Sequence, residues 1–148
     1  GIRPGTHNAP ANIVLAKTVR IAEGNMDKFY DHSYRLALKL HNFLATHKDL
    51  FIINSVGGSN PYIVNFSLKT IKASIVLNAL ESRDIYVGTT SSCSAKLHAM
   101  SKSVYAISQD EERASNSIRV SFGMENTLEE VEIFCNTLTE IIKEYGRE

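Results

Sequence analysis

Hydrophobic and polar positions change period several times along this chain. Arg3 to Pro10, with two prolines and a glycine, reads as a loop. Ile13, Leu15, Ala16 and Val19 then form an apolar helical face that stops near Gly24. Asn25 stands where an N-cap belongs, ahead of a second and longer helix. Tyr30, Tyr34, Ala37, His41 and Leu44 mark one stripe of that helix, and Phe29, Leu36, Leu40 and Phe43 mark another. Two stripes predict a helix wedged between two surfaces.

The period shortens at Leu50. Leu50-Phe51-Ile52-Ile53 has strand length, and Gly57-Gly58-Ser59-Asn60-Pro61 reads as a turn. Tyr62, Val64, Phe66 and Leu68 alternate with Asn65 and Ser67, the mark of a half-buried strand, with Ile63 out of pattern. A helix is predicted over about 72–82, and Ile85-Tyr86-Val87 as another short strand. Gly88 to Ala95 is small and hydroxylated and predicts a hydrated, mobile loop; 96–108 predicts one or two short helical turns. Ile118, Val120 and Phe122 alternate with Arg119 and Ser121, and Gly123 ends the strand. Thr127 and Glu130 have capping-box spacing ahead of Leu128, Val131, Cys135, Leu138, Ile142 and Tyr145, which recur at helical spacing. The predicted order is two helices, two strands, helix, strand, loop, strand, helix. It fits an α+β sandwich with helices packed on one face of a mainly antiparallel sheet.

Composition narrows the function. The 148 residues are 43% hydrophobic and 22% charged, enough for one folded domain with a core. Sixteen basic residues balance sixteen acidic ones, so the basic footprint of a nucleic-acid binder is missing. Apolar runs break well short of the ~20 residues that span a bilayer. Cys93 and Cys135 make no disulfide framework, which favours a reducing cytoplasm. Gly1-Ile2-Arg3-Pro4-Gly5-Thr6 has no initiator Met and no signal-peptide pattern, so the chain reads as the middle of a longer protein.

Three places carry candidate chemistry. Cys93 lies in the small-residue loop, where Lys96 or His98 would favour a thiolate; the plain alternative is an incidental cysteine among serines. Cys135 falls on an apolar helical stripe and reads as core. Arg119 must point away from the face that Ile118 and Val120 bury, and a guanidinium on a rigid strand suits a carboxylate; otherwise it keeps an exposed sheet face soluble. Gly5 and Thr6 form a combination often used on phosphate, or simply a helix-entry turn. Lys48 reads as a solvated cation near a helix end, Gly57-Gly58-Ser59 lacks P-loop completion, and the five histidines show no metal-ligand spacing, so no metal site is expected.

Four motifs in order bear a family resemblance: Arg3-Pro4-Gly5-Thr6, then residues 61–67 (Pro-Tyr-Ile-Val-Asn-Phe-Ser), then 89–94 (Thr-Thr-Ser-Ser-Cys-Ser), then 117–123 (Ser-Ile-Arg-Val-Ser-Phe-Gly) with Asn126, Thr127 and Glu130. Together they resemble the C-terminal part of a cysteine desulfurase, within the class V group of pyridoxal-phosphate aminotransferases. The resemblance implies the small C-terminal domain of a fold-type-I pyridoxal-phosphate enzyme. Residues 1–24 would be an entry loop and linking helix, residues 25–148 the α/β sandwich, and the large cofactor domain would be absent from this chain. It implies that Cys93 accepts sulfur from L-cysteine as a persulfide, that Arg119 holds the substrate carboxylate, and that Thr6 reaches the cofactor phosphate of the other subunit of a homodimer. A sulfur-acceptor protein, as in iron–sulfur cluster assembly, is the implied partner. Thr90-Ser91-Ser92 stands where the family often has Gly-Ser-Ala before the cysteine, and His7 where Glu or Pro is common. The cofactor lysine of the family lies upstream of the Arg-Pro-Gly-Thr motif, so the fragment alone is expected to be inactive and to expose apolar surface on its first helices. Another class V activity, or a stand-alone non-catalytic α+β binding module, are the alternatives.

Overall fold

A computed structural model describes residues 8–55, 60–89 and 100–146. It begins with one long helix, α1 (Ala9–Thr46), where the sequence pattern predicts two. The Asn8 side chain caps it by accepting from the Ala11 N–H at 3.1 Å, and Pro10 sits harmlessly in the first turn. Gly24 fails to stop the helix. It has open space around it and a helical glycine costs only about 1 kcal/mol, which helical bonds on either side absorb. Asn25 does not cap; its Nδ2 donates back to the Ile21 carbonyl at 2.7 Å inside the helix.

The two stripes also resolve differently. Only Ser33, Leu36, Ala37, Leu40 and Leu44 are buried, a single helical face, while Tyr30 and Tyr34 remain about half exposed. All residues from Asn8 to Lys28 are exposed, among them Ile13, Val14, Leu15, Val19 and Ile21. The apolar surface expected on the first helices is therefore present on the N-terminal half of α1.

The sheet is antiparallel throughout, with strand order β1-β2-β4-β3. The strands are β1 (Phe51–Ile53), β2 (Ile63–Leu68), β3 (Gly88–Thr89) and β4 (Ser117–Ser121). The strand expected at residues 85–87 falls at Gly88–Thr89 instead. Ile85 and Val87 pack on the core, as their hydrophobicity predicts, but ladder pairing to β4 begins only at Gly88. Helix α2 (Ala73–Glu81) links β2 to β3, turning Ala73, Val76 and Leu80 inward. Two short helices, α3 (Lys102–Ser108) and α4 (Glu111–Ser115), precede β4; the second, capped by Asp110, was not anticipated. Helix α5 (Leu128–Tyr145) opens with the predicted capping box of Thr127 and Glu130.

Strand alternation sorts the faces. Phe51, Val64, Phe66, Leu68, Ile118 and Val120 join one core with Leu40 and Leu44 of α1, Val76 and Leu80 of α2, and Leu138 and Ile141 of α5. The opposite face carries Asn65, Ser67 and Arg119. There α4 covers one end: Ser67 Oγ donates to the Arg113 carbonyl at 2.7 Å. So α1, α2 and α5 form the helical layer on one side, and among the described residues α3 and α4 cover only part of the other.

Candidate functional site

Arg119 sits at the middle of β4, between buried Ile118 and Val120, and is exposed on the opposite face. Its neighbours across the sheet are Asn65 on β2 and Gly88 on β3. Gly88 is needed for space. A Cβ there would lie 3.1 Å from Arg119 Nη2 and 3.2 Å from Nε, so the guanidinium rests over the bare glycine backbone. Among the described residues the Arg119 side chain makes no hydrogen bond or ion pair. A guanidinium on a rigid strand has the donor geometry that suits a carboxylate.

The guanidinium opens onto a depression of about 630 Å³, walled by Asn54, Ser55 and Asn65 on one side and by Lys102, Val104 and Ile107 of α3 on the other. No carboxylate lines it among the described residues, so its charge is positive. A chain of polar contacts backs the Asn65 wall. Arg113 Nε donates to Asn54 Oδ1 at 2.7 Å, and Arg113 Nη2 to the Ile53 carbonyl at 3.3 Å. Asn54 Nδ2 donates to Asn65 Oδ1 and to Ser67 Oγ, both at 2.7 Å. Asn54 is buried, so this satisfaction is what makes it tolerable in the core.

Of the sequence-predicted site residues, Arg119 alone falls among the described ones. Cys93 and Thr6 lie outside them, as does most of the predicted turn at 57–61. Residues 90–99, Cys93 among them, fall in sequence between Thr89, which pairs with Ile118 beside Arg119, and Met100, on the wall of the depression. Cys135 is buried, and burial pushes its thiol up to about 11, so it is protonated and inert at neutral pH. No group of His, Cys, Asp or Glu among the described residues is arranged to hold a metal ion.

Asn54, Asn65, Gly88 and Arg113 were missed by sequence reasoning as site residues. The alternation does put Asn65 on the polar face. Nothing in the sequence links Asn54 to Arg113, 59 positions apart.

A pyridoxal-phosphate site needs a desolvated lysine for its Schiff base and a partner for the ring nitrogen. Lys102 is exposed at the rim of the Arg119 depression, where its ammonium stays hydrated. A second depression, of about 360 Å³, between Tyr86, Val87, Phe122 and Phe134, has Asp84 and Glu130 but no lysine. The described residues do not fit the cofactor itself. They form a cationic depression of a size and charge suited to a small anion.

The comparisons with known proteins give the family. A NifS/IcsS protein homolog of Lactobacillus delbrueckii subsp. bulgaricus is 29% identical over 148 residues, covering 99% of this chain and 38% of the relative. A mitosomal cysteine desulfurase of Encephalitozoon cuniculi is 27% identical, covering 97% and 33%. The chain thus spans about a third of the length of these curated relatives. In structure it is similar to a NifS-like protein, with a TM-score of 0.78 and 28% identity over 97% of this chain and 36% of that one. A NifS-like protein from Rickettsia africae shares the fold, with a TM-score of 0.73, 24% identity, and coverage of 96% and 37%. The profile of the class-V aminotransferase family matches residues 1–134. With a match over so much of its length, the chain belongs to the class-V aminotransferase family.

Proposed function

We propose that this chain is the C-terminal small domain, residues 1–148, of a pyridoxal-phosphate-dependent cysteine desulfurase. Arg119 holds the carboxylate of L-cysteine, and the Cys93 thiolate takes its sulfur. The exchange balances: L-cysteine and the Cys93 thiol become L-alanine and a Cys93 persulfide, which is passed to a sulfur-acceptor protein. The cofactor supplies the electron sink for breaking the carbon–sulfur bond and is held in the parent enzyme outside the described residues. Thr6 would meet its phosphate across a homodimer. The cytoplasm, with its reducing conditions, is the fitting compartment. No helix among the described residues is long and apolar enough to cross a membrane.

One observation carries the reading: a guanidinium on a strand that no described residue partners, beside Thr89, four residues before Cys93 in sequence. Cys93 is four residues beyond Thr89, within roughly 14 Å of it even when fully extended. That reach supports an anchor fixed on a strand working with an acceptor on a tether.

The test is turnover by the full-length parent. L-alanine and sulfide should appear in equal amounts from L-cysteine in the presence of a reducing thiol. Cys93→Ser should abolish sulfur release. Undiminished release from that variant would overturn the desulfurase reading. Conversion of another amino acid without release of L-alanine would instead favour a different class V activity.

A further inference from the structure

We infer that Asn65 is a second anchor for the carboxylate that Arg119 grips, and that Arg113 sets its donating direction through Asn54. The inference rests on the desulfurase reading for the identity of the substrate. A guanidinium has no acceptor, so the Asn54 atom facing Arg113 Nε at 2.7 Å must be Oδ1. Asn54 Nδ2 is then the atom that faces β2, and a group that only donates requires an acceptor there, so Asn65 presents Oδ1 to it. The amide of Asn65 is thereby oriented without ambiguity. Its Nδ2 makes no hydrogen bond to any described residue and belongs to the wall of the Arg119 depression.

The register brings the two donors together. The Asn65 N–H donates to Ser55 Oγ at 2.7 Å, and its carbonyl accepts from the Asn54 and Ser55 N–H groups at 2.9 and 3.1 Å. Both backbone groups of Asn65 therefore point toward β1 and away from β4. This makes Asn65 and Arg119 a non-hydrogen-bonded antiparallel pair, the closer spacing, with Cα atoms about 4.5 Å apart and side chains side by side. The network fixes which atom of the Asn65 amide turns toward the depression. Among the described residues it ends on a pair of N–H donors, beside a guanidinium without a partner, in a depression lined by no carboxylate. A carboxylate has lone pairs enough to accept from both.

The sharpest test works from a distance. Asn54→Asp keeps the shape and strengthens the bond to Arg113, but it offers oxygen to Asn65, whose amide must turn over and aim Oδ1 at the ligand. In the full-length enzyme the KM for L-cysteine should rise about tenfold while kcat stays within about twofold, because one bond to a charged group is lost. Asn65→Asp, nearly isosteric, should raise KM further by repulsion, and Asn65→Ala should match Asn54→Asp.

A readout independent of turnover is the NMR spectrum of the full-length enzyme, labelled at asparagine and arginine side-chain nitrogens and titrated with L-alanine. The side-chain amide of Asn65 and the Nε–H of Arg119 should shift together with one affinity, and in Asn54→Asp only Arg119 should respond. An Asn65 amide that stays still while Arg119 moves, a titration in which neither moves, or an unchanged KM in a folded Asn54→Asp enzyme overturns the inference. A full-length protein that engages L-cysteine through both residues yet releases no sulfur would sink the desulfurase reading and leave Asn65 as an anchor.

Discussion

Gly88 offers a perturbation whose effects on stability and on function have opposite signs. A Cβ at this position would stand 3.1 Å from Arg119 Nη2, 3.2 Å from Nε and 3.4 Å from Cζ. Comfortable contacts between such atoms begin near ~3.5 Å, so Gly88→Ala lifts the guanidinium by a few tenths of an ångström. Gly88→Val, with two further carbons, displaces it by roughly 1 Å. The displaced group is the free end of an exposed side chain, so the fold loses little. Removing a flexible glycine from a strand should instead stabilise by about 0.5 kcal/mol through the unfolded chain. Function responds the other way. A misplacement of about 1 Å at a substrate-positioning group costs on the order of a hundredfold, and a few tenths of an ångström costs roughly threefold. Urea melts of the chain and steady-state kinetics of the full-length enzyme measure the two effects. The expected result is unchanged or raised stability with kcat/KM for L-cysteine falling from Gly to Ala to Val. A folded Gly88→Val enzyme with undiminished kcat/KM would show that the resting place of the guanidinium has no bearing on the substrate. A large loss of stability would show that Gly88 holds up the sheet and does more than leave room for Arg119.

Three further outcomes follow from the fold. Gly24→Ala should stabilise the chain by about 0.5–1 kcal/mol in thermal melts, since the site is an open helix interior with nothing within 4 Å of the added carbon. The carboxylate of Glu130 accepts from Asn126 Nδ2 at 3.1 Å and from the Thr127 N–H at 3.0 Å, and these bonds hold its pKa below the usual glutamate value. Because the folded value is the lower one, the stabilisation is complete above the unfolded pKa of about 4.3 and fades as pH falls through the folded value. The difference in melting temperature between wild type and Glu130→Gln should therefore narrow in acid, while Thr127→Ala should cost about 1 kcal/mol at neutral pH. Cys135, with its thiol raised to about 11 and its side chain buried, should resist a thiol reagent in a folded Cys93→Ser chain and react fully in urea; rapid labelling of the native chain would contradict its place in the core.

Much of this fold was legible because its signals are local. Alternation at Val64, Phe66 and Leu68 and at Ile118 and Val120 located the two central strands, and the Thr127–Glu130 spacing located the start of α5. Errors arose where a local preference competes with its surroundings. Gly24 reads as a stop, yet one glycine is too weak to end a helix whose bonds continue on both sides. Tyr30 and Tyr34 read as a second buried stripe because sequence reports hydrophobicity and not what covers it. Ile85 and Val87 read as a strand because both are apolar, but pairing depends on where β4 passes. The same division holds in the site. Arg119 was visible because its neighbours in the alternation must face inward. Gly88 and the Arg113–Asn54–Asn65 relay were not, because their meaning lies in contacts between strands and helices distant in sequence.

Mapping where sulfur goes tests the roles of Arg119 and Cys93 together. The full-length enzyme would be exposed briefly to limiting L-cysteine, quenched, and its cysteine peptides weighed, for wild type, Arg119→Ala and Arg119→Lys. The Cys93 peptide should gain one sulfur atom in wild type and the Cys135 peptide none. Loading should collapse in Arg119→Ala, recover with excess L-cysteine, and be only partly restored in Arg119→Lys, whose point charge lacks the two-pronged grip. Sulfur on Cys93 at an undiminished rate without Arg119, or sulfur carried by Cys135, would contradict the division of labour between a strand-held anchor and a tethered acceptor.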